Sequence, residues 1–291
     1  MSQIINNLSE ISGNYDALFV DLWGCVHNGV TTFPEAAEAL IQYRKTGGTV
    51  ILVTNSPRTK SAVAKQLAGF GLSTEAYDDI ATSGDSAQFA FFSGVVGQKV
   101  YHIGTDEELS FYTRDDDLLP MLDITRVPLK DADGIVCIGP NDPIKETPDD
   151  YRADFLYAKQ MGLKLLCANP DIIVDRGEHR EYCAGALAQL YTEMGGESLY
   201  FGKPHPPIYD LARRRLAALR PEIEDSGILA IGDGPHTDVS GAIGEGLDVL
   251  FISGGLAAQQ TKTDGQPDAQ ALEDYLNEVA LSPRFTIGKL R

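Results

Sequence analysis

Basic residues are scarce in this sequence, and several features that mark particular classes of protein are missing. There are 24 Lys and Arg against 42 Asp and Glu, so the formal net charge is −18. This charge repels polyanions, and we expect neither nucleic acid nor an anionic membrane as a partner. No apolar stretch reaches the length of a membrane span, and the N-terminus lacks a basic segment followed by an apolar run. These absences predict a cytoplasmic protein.

Cysteine is also scarce, and its spacing argues against two kinds of framework. The four cysteines are far apart and form no C-x-x-C pair: Cys25, Cys137, Cys167 and Cys183. The pattern argues against a disulfide scaffold or a zinc site, and it predicts reduced, mostly buried thiols. Hydrophobic residues make up 43% of the 291 positions, which is enough to bury the core of one large domain or two.

Strand and helix patterns alternate at both ends of the chain. In chain order, the candidates are strand 16–23, helix 34–48, strand 49–55, helix 58–71, then helix 211–220, strand 227–233, helix 238–246 and strand 247–255. Such alternation predicts a doubly wound α/β fold, in which helices cover both faces of a parallel sheet. Ligands of such sheets bind beyond the carboxyl ends of the strands.

A segment with strands and helices of its own separates these two halves. Its strand candidates include "KVYHIG", "GIVCIG" and "KLLCAN", and its helix candidates include "DYRADFLYAKQMG". We predict a Rossmann-like core made of residues 1–83 and 186–291, with residues 84–185 inserted as a second α/β domain.

Four short motifs place polar residues at the ends of predicted strands. They are Asp21 in "VDLWG", Thr54 in "VTNSPR", Lys203 in "FGKPHPP", and Asp233 with Asp238 in "IGDGPHTD". The first three, taken singly, have ordinary explanations, such as a turn-forming aspartate, a helix start or a solvated lysine. The last motif is more specific, because two carboxylates close together after a buried strand repel unless a cation compensates them.

The combination of the four motifs points to phosphoryl transfer. A carboxylate that attacks a phosphoryl group needs Mg²⁺, because two anions otherwise repel. Hydroxyl and N–H donors must hold the phosphoryl oxygens, and a further cation steadies the charge. The motifs supply each of these roles in order.

With these motifs the chain resembles the haloacid dehalogenase (HAD) superfamily of phosphohydrolases, and most closely its class IIA capped subgroup. The resemblance covers nearly the whole chain, including the long insert and "CANPD" at 167–171. It implies that the insert is an α/β cap over the active site. It also implies that the cap can contribute to contacts in a homodimer.

The resemblance assigns roles to individual residues. It implies that Asp21 is phosphorylated and also binds Mg²⁺ together with Asp233 and the backbone carbonyl of Trp23, with support from Asp238. The residues that it implies for the phosphoryl group and the substrate are Thr54, Asn55, Lys203, Asn169 and Asp171, of which the last two belong to the Asn-Pro-Asp segment of a cap loop.

The first motif departs from the family at one position. The family's usual motif is D-x-D, whose second aspartate protonates the leaving group and later activates water, but Trp23 stands there in this chain. An indole is no proton shuttle at any useful pH. Losing a general acid or base typically costs a factor of roughly 10²–10⁴ in rate.

Other titratable residues lie in or beside the motif loops. His27, His205 and His236 are candidates to replace the missing acid, with His27 and His236 the better placed. Each is also compatible with an ordinary loop histidine that makes a local hydrogen bond. We interpret Cys25 as a small buried apolar residue rather than a nucleophile.

The sequence as a whole predicts a Mg²⁺-dependent phosphatase that acts on a small phosphorylated metabolite through an aspartyl-phosphate. The alternative is a protein that binds phosphometabolites and lost turnover with the change to Trp23. A third hypothesis restricts the reaction to substrates with good leaving groups, such as acyl phosphates. An NAD-dependent oxidoreductase is disfavoured, because no G-x-G-x-x-G follows the first strand.

Overall fold

The computed structural model describes residues 2–113, 122–176 and 179–291. The chain divides into two compact units. The core unit comprises Met1–Thr54, Val63–Ala81 and Tyr209–Arg291, and the insert unit comprises Asn55–Ala62 and Thr82–Ile208.

Short strands recur throughout the described parts of the chain. They are β1 Gln3–Ile4, β2 Ala17–Val20, β3 Thr49–Thr54, β4 Asp79–Thr82, β5 Lys99–Ile103, β6 Thr125–Arg126, β7 Gly134–Cys137, β8 Lys164–Cys167, β9 Ile173–Arg176, β10 His179–Tyr182, β11 Glu197–Tyr200, β12 Ile228–Gly232, β13 Asp248–Ile252 and β14 Phe285–Ile287. The α-helices are α1 Pro34–Lys45, α2 Lys60–Gly69, α3 Ser83–Phe92, α4 Arg152–Gln160, α5 Ala184–Glu193, α6 Pro206–Leu219, α7 Ser240–Gly244 and α8 Ala269–Glu278.

The core sheet has seven strands in the order β1-β14-β13-β12-β2-β3-β4. The strand pairs from β1 to β3 all run parallel. Every residue of β2, β3 and β12 is buried, as expected when helices cover both faces of a parallel sheet. The predicted doubly wound α/β fold is confirmed.

The strand order reverses at β2. From β2 the chain adds β3 and β4 on one side, and later adds β12, β13 and β14 on the other. Loops that leave the carboxyl ends of β2 and β12 therefore diverge and leave a crevice between them, which is where open α/β sheets bind ligands.

The insert unit contains a parallel sheet of five strands in the order β11-β8-β7-β5-β6. Successive side chains of a strand point to opposite faces. Ile135 and Leu165 accordingly pack in one hydrophobic cluster, and Val136 and Leu166 pack in another. The sheet is therefore covered on both faces, as a second α/β domain requires. Strands β9 and β10 form a separate antiparallel pair.

The insert unit has wider limits than the predicted segment 84–185. Residues after 185 belong to it as far as Ile208 instead of to the core, because β11 pairs in parallel with β8 over Glu197–Tyr200. Residues 55–62 also belong to it. Its predicted role as a cap stays a prediction.

Helix α6 begins earlier than its predicted start at 211. Pro206 occupies the first helical position, where the missing N–H of proline costs no hydrogen bond.

None of the helices in the described residues combines the length and the apolar character that crossing a membrane requires.

Candidate active site

Asp21 directly follows β2 at the point where the strand order reverses. Its backbone N–H donates to the carbonyl of Ile231 on β12 at 2.8 Å. This bond extends the β2–β12 ladder by one residue and holds Asp21 at the carboxyl edge of the sheet. Only 7% of the residue is exposed.

Asp233 directly follows β12, the neighbour of β2. Its Oδ2 accepts the backbone N–H of Leu256 at 3.0 Å. A Cβ on Gly24 would lie 2.2 Å from this oxygen, and a Cβ on Gly255 would lie 1.9 Å from it. Glycine at both positions therefore leaves the space that the carboxylate occupies.

Asp21, Asp233 and Cys25 form a group that fits a divalent cation. One ligand atom of each lies within 4.8 Å of the others, and all three residues are buried. Carboxylate oxygens are the ligands that Mg²⁺ prefers in proteins, and a cation relieves the repulsion between buried carboxylates. The thiol was missed as a member of this group by sequence reasoning, although its burial is as predicted.

Asp238 lies on a π-helical turn, Pro235–Val239, after β12. Its Oδ2 accepts the backbone N–H of Gly234 at 3.1 Å and the hydroxyl of Thr237 at 3.3 Å. Asp238 is not a member of the group formed by Asp21, Asp233 and Cys25 among the described residues. Its position suits the predicted supporting role, since it holds the loop that follows Asp233.

Thr54 ends β3, the other neighbour of β2, and is 8% exposed. The register pairs Leu52 with Val20. Because Asp21 follows Val20 and parallel strands end at the same edge, Thr54 and Asp21 lie at the same edge of the core sheet.

Trp23 lies two residues after Asp21 and is partly exposed. Its ring packs edge-on against the ring of His27. A Cβ on Gly29 would lie 2.3 Å from Cη2 of the indole. The indole is therefore a packed part of the loop that carries the first motif.

The three candidate histidines have different surroundings. Burial lowers the pKa of His27 to about 4, and its Nδ1 accepts the backbone N–H of Gly29 at 3.0 Å. His205 stacks on Tyr200 at 4.7 Å, and burial lowers its pKa as well. His236 is exposed. The first two are thus held neutral, which does not favour a proton-donating role.

A second polar group lies within the insert unit, around the side chain of Asn55. The Oδ1 of Asn55 accepts the backbone N–H of Lys203 at 2.7 Å, and its Nδ2 donates to the carbonyl of Lys203 at 3.0 Å. The same Nδ2 donates to Oδ1 of Asp171 at 2.8 Å. Lys203 is 3% exposed and Asn55 is 4% exposed.

The Asn-Pro-Asp segment follows β8 and joins this group. The Oδ1 of Asn169 accepts the backbone N–H of Asp171 at 3.1 Å, which forms an Asx turn. A Cβ on Gly202 would lie 2.5 Å from Oδ1 of Asn55 and 2.6 Å from Cδ of Pro170. Gly202 is thus the residue that lets these segments approach.

The candidate residues accordingly fall into two groups, each within one unit. The core unit brings together Asp21 and Asp233 with Cys25, and it places Trp23, Thr54 and Asp238 in the adjoining loops and strand ends. The insert unit brings together Asn55, Lys203 and Asp171, with Asn169 beside them.

The core sheet has a carboxylate pair, Asp21 and Asp233, at its reversal point, and the threonine and lysine motifs lie between these two aspartates in sequence. Family models match this chain over residues 18–115, as haloacid dehalogenase-like hydrolase, and over residues 200–279, as HAD-hydrolase-like. A solved hydrolase of the haloacid dehalogenase-like family from Brucella suis 1330 is 40% identical, with 99% of this chain and 100% of that chain covered and a TM-score of 0.85. The chain belongs to the haloacid dehalogenase-like hydrolase family, as its motifs predict.

More distant relatives are similar over most of their length. An acid sugar phosphatase from Staphylococcus saprophyticus is 23% identical over 271 residues, which cover 91% of this chain and 97% of that protein. A solved glycerol phosphate phosphatase from Mycobacterium tuberculosis, in complex with magnesium, is 24% identical with a TM-score of 0.63, and 84% of this chain and 70% of that chain are covered.

Proposed function

We propose that the protein is a Mg²⁺-dependent phosphatase that hydrolyses a small phosphorylated metabolite through an aspartyl-phosphate on Asp21. The observation that carries the proposal is the buried group of Asp21 and Asp233 at the reversal point of the core sheet. Membership of the hydrolase family supports it. So do the names of the two phosphatases to which the chain is similar.

The proposed metal site consists of carboxylates and one main-chain oxygen. Asp21, Asp233 and the carbonyl of Trp23 would hold Mg²⁺, and Asp238 would steady the loop. Bound Mg²⁺ supplies positive charge that offsets the repulsion between the carboxylate and the phosphoryl group. Thr54 and Lys203 are assigned to the phosphoryl oxygens, because a hydroxyl and an ammonium both stabilise negative charge there.

The proposed reaction has two steps. A carboxylate oxygen of Asp21 attacks phosphorus, the bond from phosphorus to the leaving oxygen breaks, and the leaving alcohol takes a proton. Water then attacks the phosphorus of the aspartyl-phosphate, which breaks the bond to Asp21 and releases inorganic phosphate. The indole N–H of Trp23 can donate a hydrogen bond but does not give up its proton at any useful pH, so we propose that water supplies the proton to the leaving alcohol.

The position of Trp23 favours a second candidate function. A chain without the family's acid can retain the phosphate site and bind phosphometabolites without turning them over. A third candidate follows from the same position, which is hydrolysis restricted to esters or acyl phosphates with good leaving groups.

Phosphate release from a panel of esters separates these candidates. The panel contains 4-nitrophenyl phosphate, acetyl phosphate, glycerol phosphate and several sugar phosphates, each with Mg²⁺ and with a chelator. The phosphatase proposal expects release from at least one metabolite ester that the chelator abolishes. Calorimetric binding of a sugar phosphate without any release would favour the binding protein, and release from only the first two compounds would favour the restricted hydrolase.

A further inference from the structure

The carboxamide of Asn55 uses both of its N–H groups within the protein. An asparagine side chain offers two N–H donors and one acceptor oxygen. One N–H donates to the carbonyl of Lys203 and the other to the carboxylate of Asp171, at 3.0 and 2.8 Å. The oxygen accepts the N–H of Lys203 at 2.7 Å.

The partners fix the orientation of this amide. A flipped carboxamide would set its NH₂ against the N–H of Lys203 and its oxygen against two acceptors, the carbonyl of Lys203 and the carboxylate of Asp171. The side chain of Asn55 is also buried, with 4% of the residue exposed. Its amide therefore has no N–H left to donate to a phosphoryl oxygen unless one of these bonds breaks.

We propose that Asn55 and Asp171 are positioning residues: Asp171 orients the carboxamide of Asn55, which clamps the main chain of Lys203 and so fixes where that lysine side chain begins. The inference rests on the proposed function for the role of Lys203. It departs from the expectation that the side chains of Asn55 and Asp171 contact the substrate.

The geometry around Gly202 supports this clamp. Gly202 precedes Lys203, and a Cβ there would lie 2.5 Å from Oδ1 of Asn55 and 2.7 Å from Oγ of Ser83. The amide thus lies directly against the main chain of the lysine motif. Asn55 and Lys203 are 148 positions apart in sequence, so their hydrogen bonds join two loops that are distant along the chain.

A pair of substitutions at Asp171 separates positioning from substrate contact. In Asp171→Asn an amide oxygen still accepts the N–H of Asn55, so we expect kcat/KM within about fivefold of wild type. In Asp171→Ala a buried N–H of Asn55 loses its acceptor, and we expect kcat/KM to fall by roughly 10- to 100-fold. The fall should be the same for 4-nitrophenyl phosphate, glycerol phosphate and sugar phosphates, because Lys203 is assigned to the phosphoryl group that they share.

A double variant tests the coupling directly. Asn55→Asp keeps the shape but loses both donors and sets a carboxylate against Asp171, so we expect a loss of roughly 10- to 100-fold. Adding Asp171→Asn restores one N–H to carboxylate bond, and activity should recover severalfold. Asp149→Asn is the matched control, because that side chain is 75% exposed in the same unit and should leave activity unchanged.

Two results would overturn the inference. Asp171→Asn could lose as much activity as Asp171→Ala, by factors that differ among the esters, which would mean that the carboxylate contacts the substrate. Alternatively, the effects of the Asn55→Asp and Asp171→Asn changes could simply add. Should Asn55→Asp fail to fold, the two Asp171 variants decide alone.

A measurement independent of catalysis distinguishes this inference from the proposed function. The same double-mutant cycle is read from urea unfolding, and hydrogen exchange reports on the amide of Lys203. If the wild type releases no phosphate from any ester, the proposed function fails. The clamp still predicts coupled unfolding energies, and it predicts faster exchange of the Lys203 amide in Asn55→Ala, which removes the oxygen that accepts this N–H. Unchanged exchange in that variant would contradict the clamp.

Discussion

The indole of Trp23 packs edge-on against the imidazole of His27, with ring centroids 5.5 Å apart and planes at 74°. His27 packs in turn against Phe70 at 5.1 Å. Gly29 has a φ of +84° and leaves room for the indole. The side chain at the family's acid position is thus built into the packing of the loop.

If the proposed mechanism holds, a carboxylate in place of this indole should supply part of the proton transfer that Trp23 does not provide. We expect Trp23→Asp to raise kcat/KM for alkyl phosphates, which expel a basic alkoxide. The increase should be smaller than the factor of roughly 10²–10⁴ that a well-placed general acid contributes. The leaving groups of aryl and acyl phosphates are weak bases that need little protonation, so these substrates should gain little. The measurement is the slope of log kcat/KM against leaving-group pKa.

Trp23→Phe is the matched control, because it keeps an aromatic ring and adds no carboxylate. Its slope should equal that of the wild type. Replacing the indole by a smaller side chain leaves a void, and such voids typically cost a few kcal/mol of stability. The free energy of unfolding of both variants is therefore measured together with their rates. A shallow slope in the wild type would mean that another residue already supplies the proton.

Adding one methyl group at Gly24 should disable the proposed metal site. Gly24 has a φ of +78°, and its Cβ would lie 2.2 Å from Oδ2 of Asp233. We expect Gly24→Ala to lose Mg²⁺ affinity, measured by calorimetry or by the fluorescence of Trp23, the single tryptophan. The shift of the carboxylate should also abolish phosphate release.

Gly47→Ala is the control that separates the contact between a Cβ at position 24 and Asp233 from the strain of a left-handed backbone. Gly47 has a φ of +97°, but its Cβ would meet nothing within 4 Å. Both variants should lose roughly 1–2 kcal/mol of stability from the left-handed backbone. Only Gly24→Ala should lose Mg²⁺ binding, and equal losses of binding would refute the steric explanation.

The burial of His27 predicts a specific dependence of stability on pH. Burial lowers its folded-state pKa from 6.5 to about 4, so protonation favours the unfolded chain. The free energy of unfolding therefore keeps its full value above pH 6.5 as far as His27 is concerned. It should fall by about 3 kcal/mol as the pH is lowered toward 4.

His27→Phe keeps a ring between Trp23 and Phe70 but does not titrate. Urea unfolding of both proteins between pH 6.5 and pH 4 measures the difference. The wild type should lose more stability over this range than the variant, whatever the stability of the variant at neutral pH. Parallel pH profiles would show that His27 is not buried as described.

The four central strands of the core sheet, β13, β12, β2 and β3, could be predicted from the sequence because they are apolar runs punctuated by proline and glycine. The outer strands β1, β4 and β14 are short and were not predicted. Helix α1 begins at Pro34, and β3 ends at Thr54, close to their predicted limits. The reversal of strand order then places Asp21 beside Asp233, as the two strand-end motifs predict. Local pattern and the rules of parallel sheets suffice for these features.

Other features depend on contacts between distant parts of the chain. The extent of the insert unit depends on the pairing of β11 with β8, and "ESLY" has no apolar run that marks it as a buried strand. The bonds from Asn55 to Lys203 and Asp171 span 148 and 116 positions, so no local signal predicts them. Cys25 joins the carboxylates only because its loop folds back toward Asp233.

The most direct test of the account is the covalent step on Asp21. Wild-type protein is mixed with 4-nitrophenyl phosphate and Mg²⁺, quenched in acid, and its intact mass and phosphate release are measured beside Asp21→Asn. We expect one added phosphoryl group on the wild type, located on Asp21, and neither the adduct nor phosphate release in the near-isosteric variant. Undiminished phosphate release by a folded Asp21→Asn would contradict it.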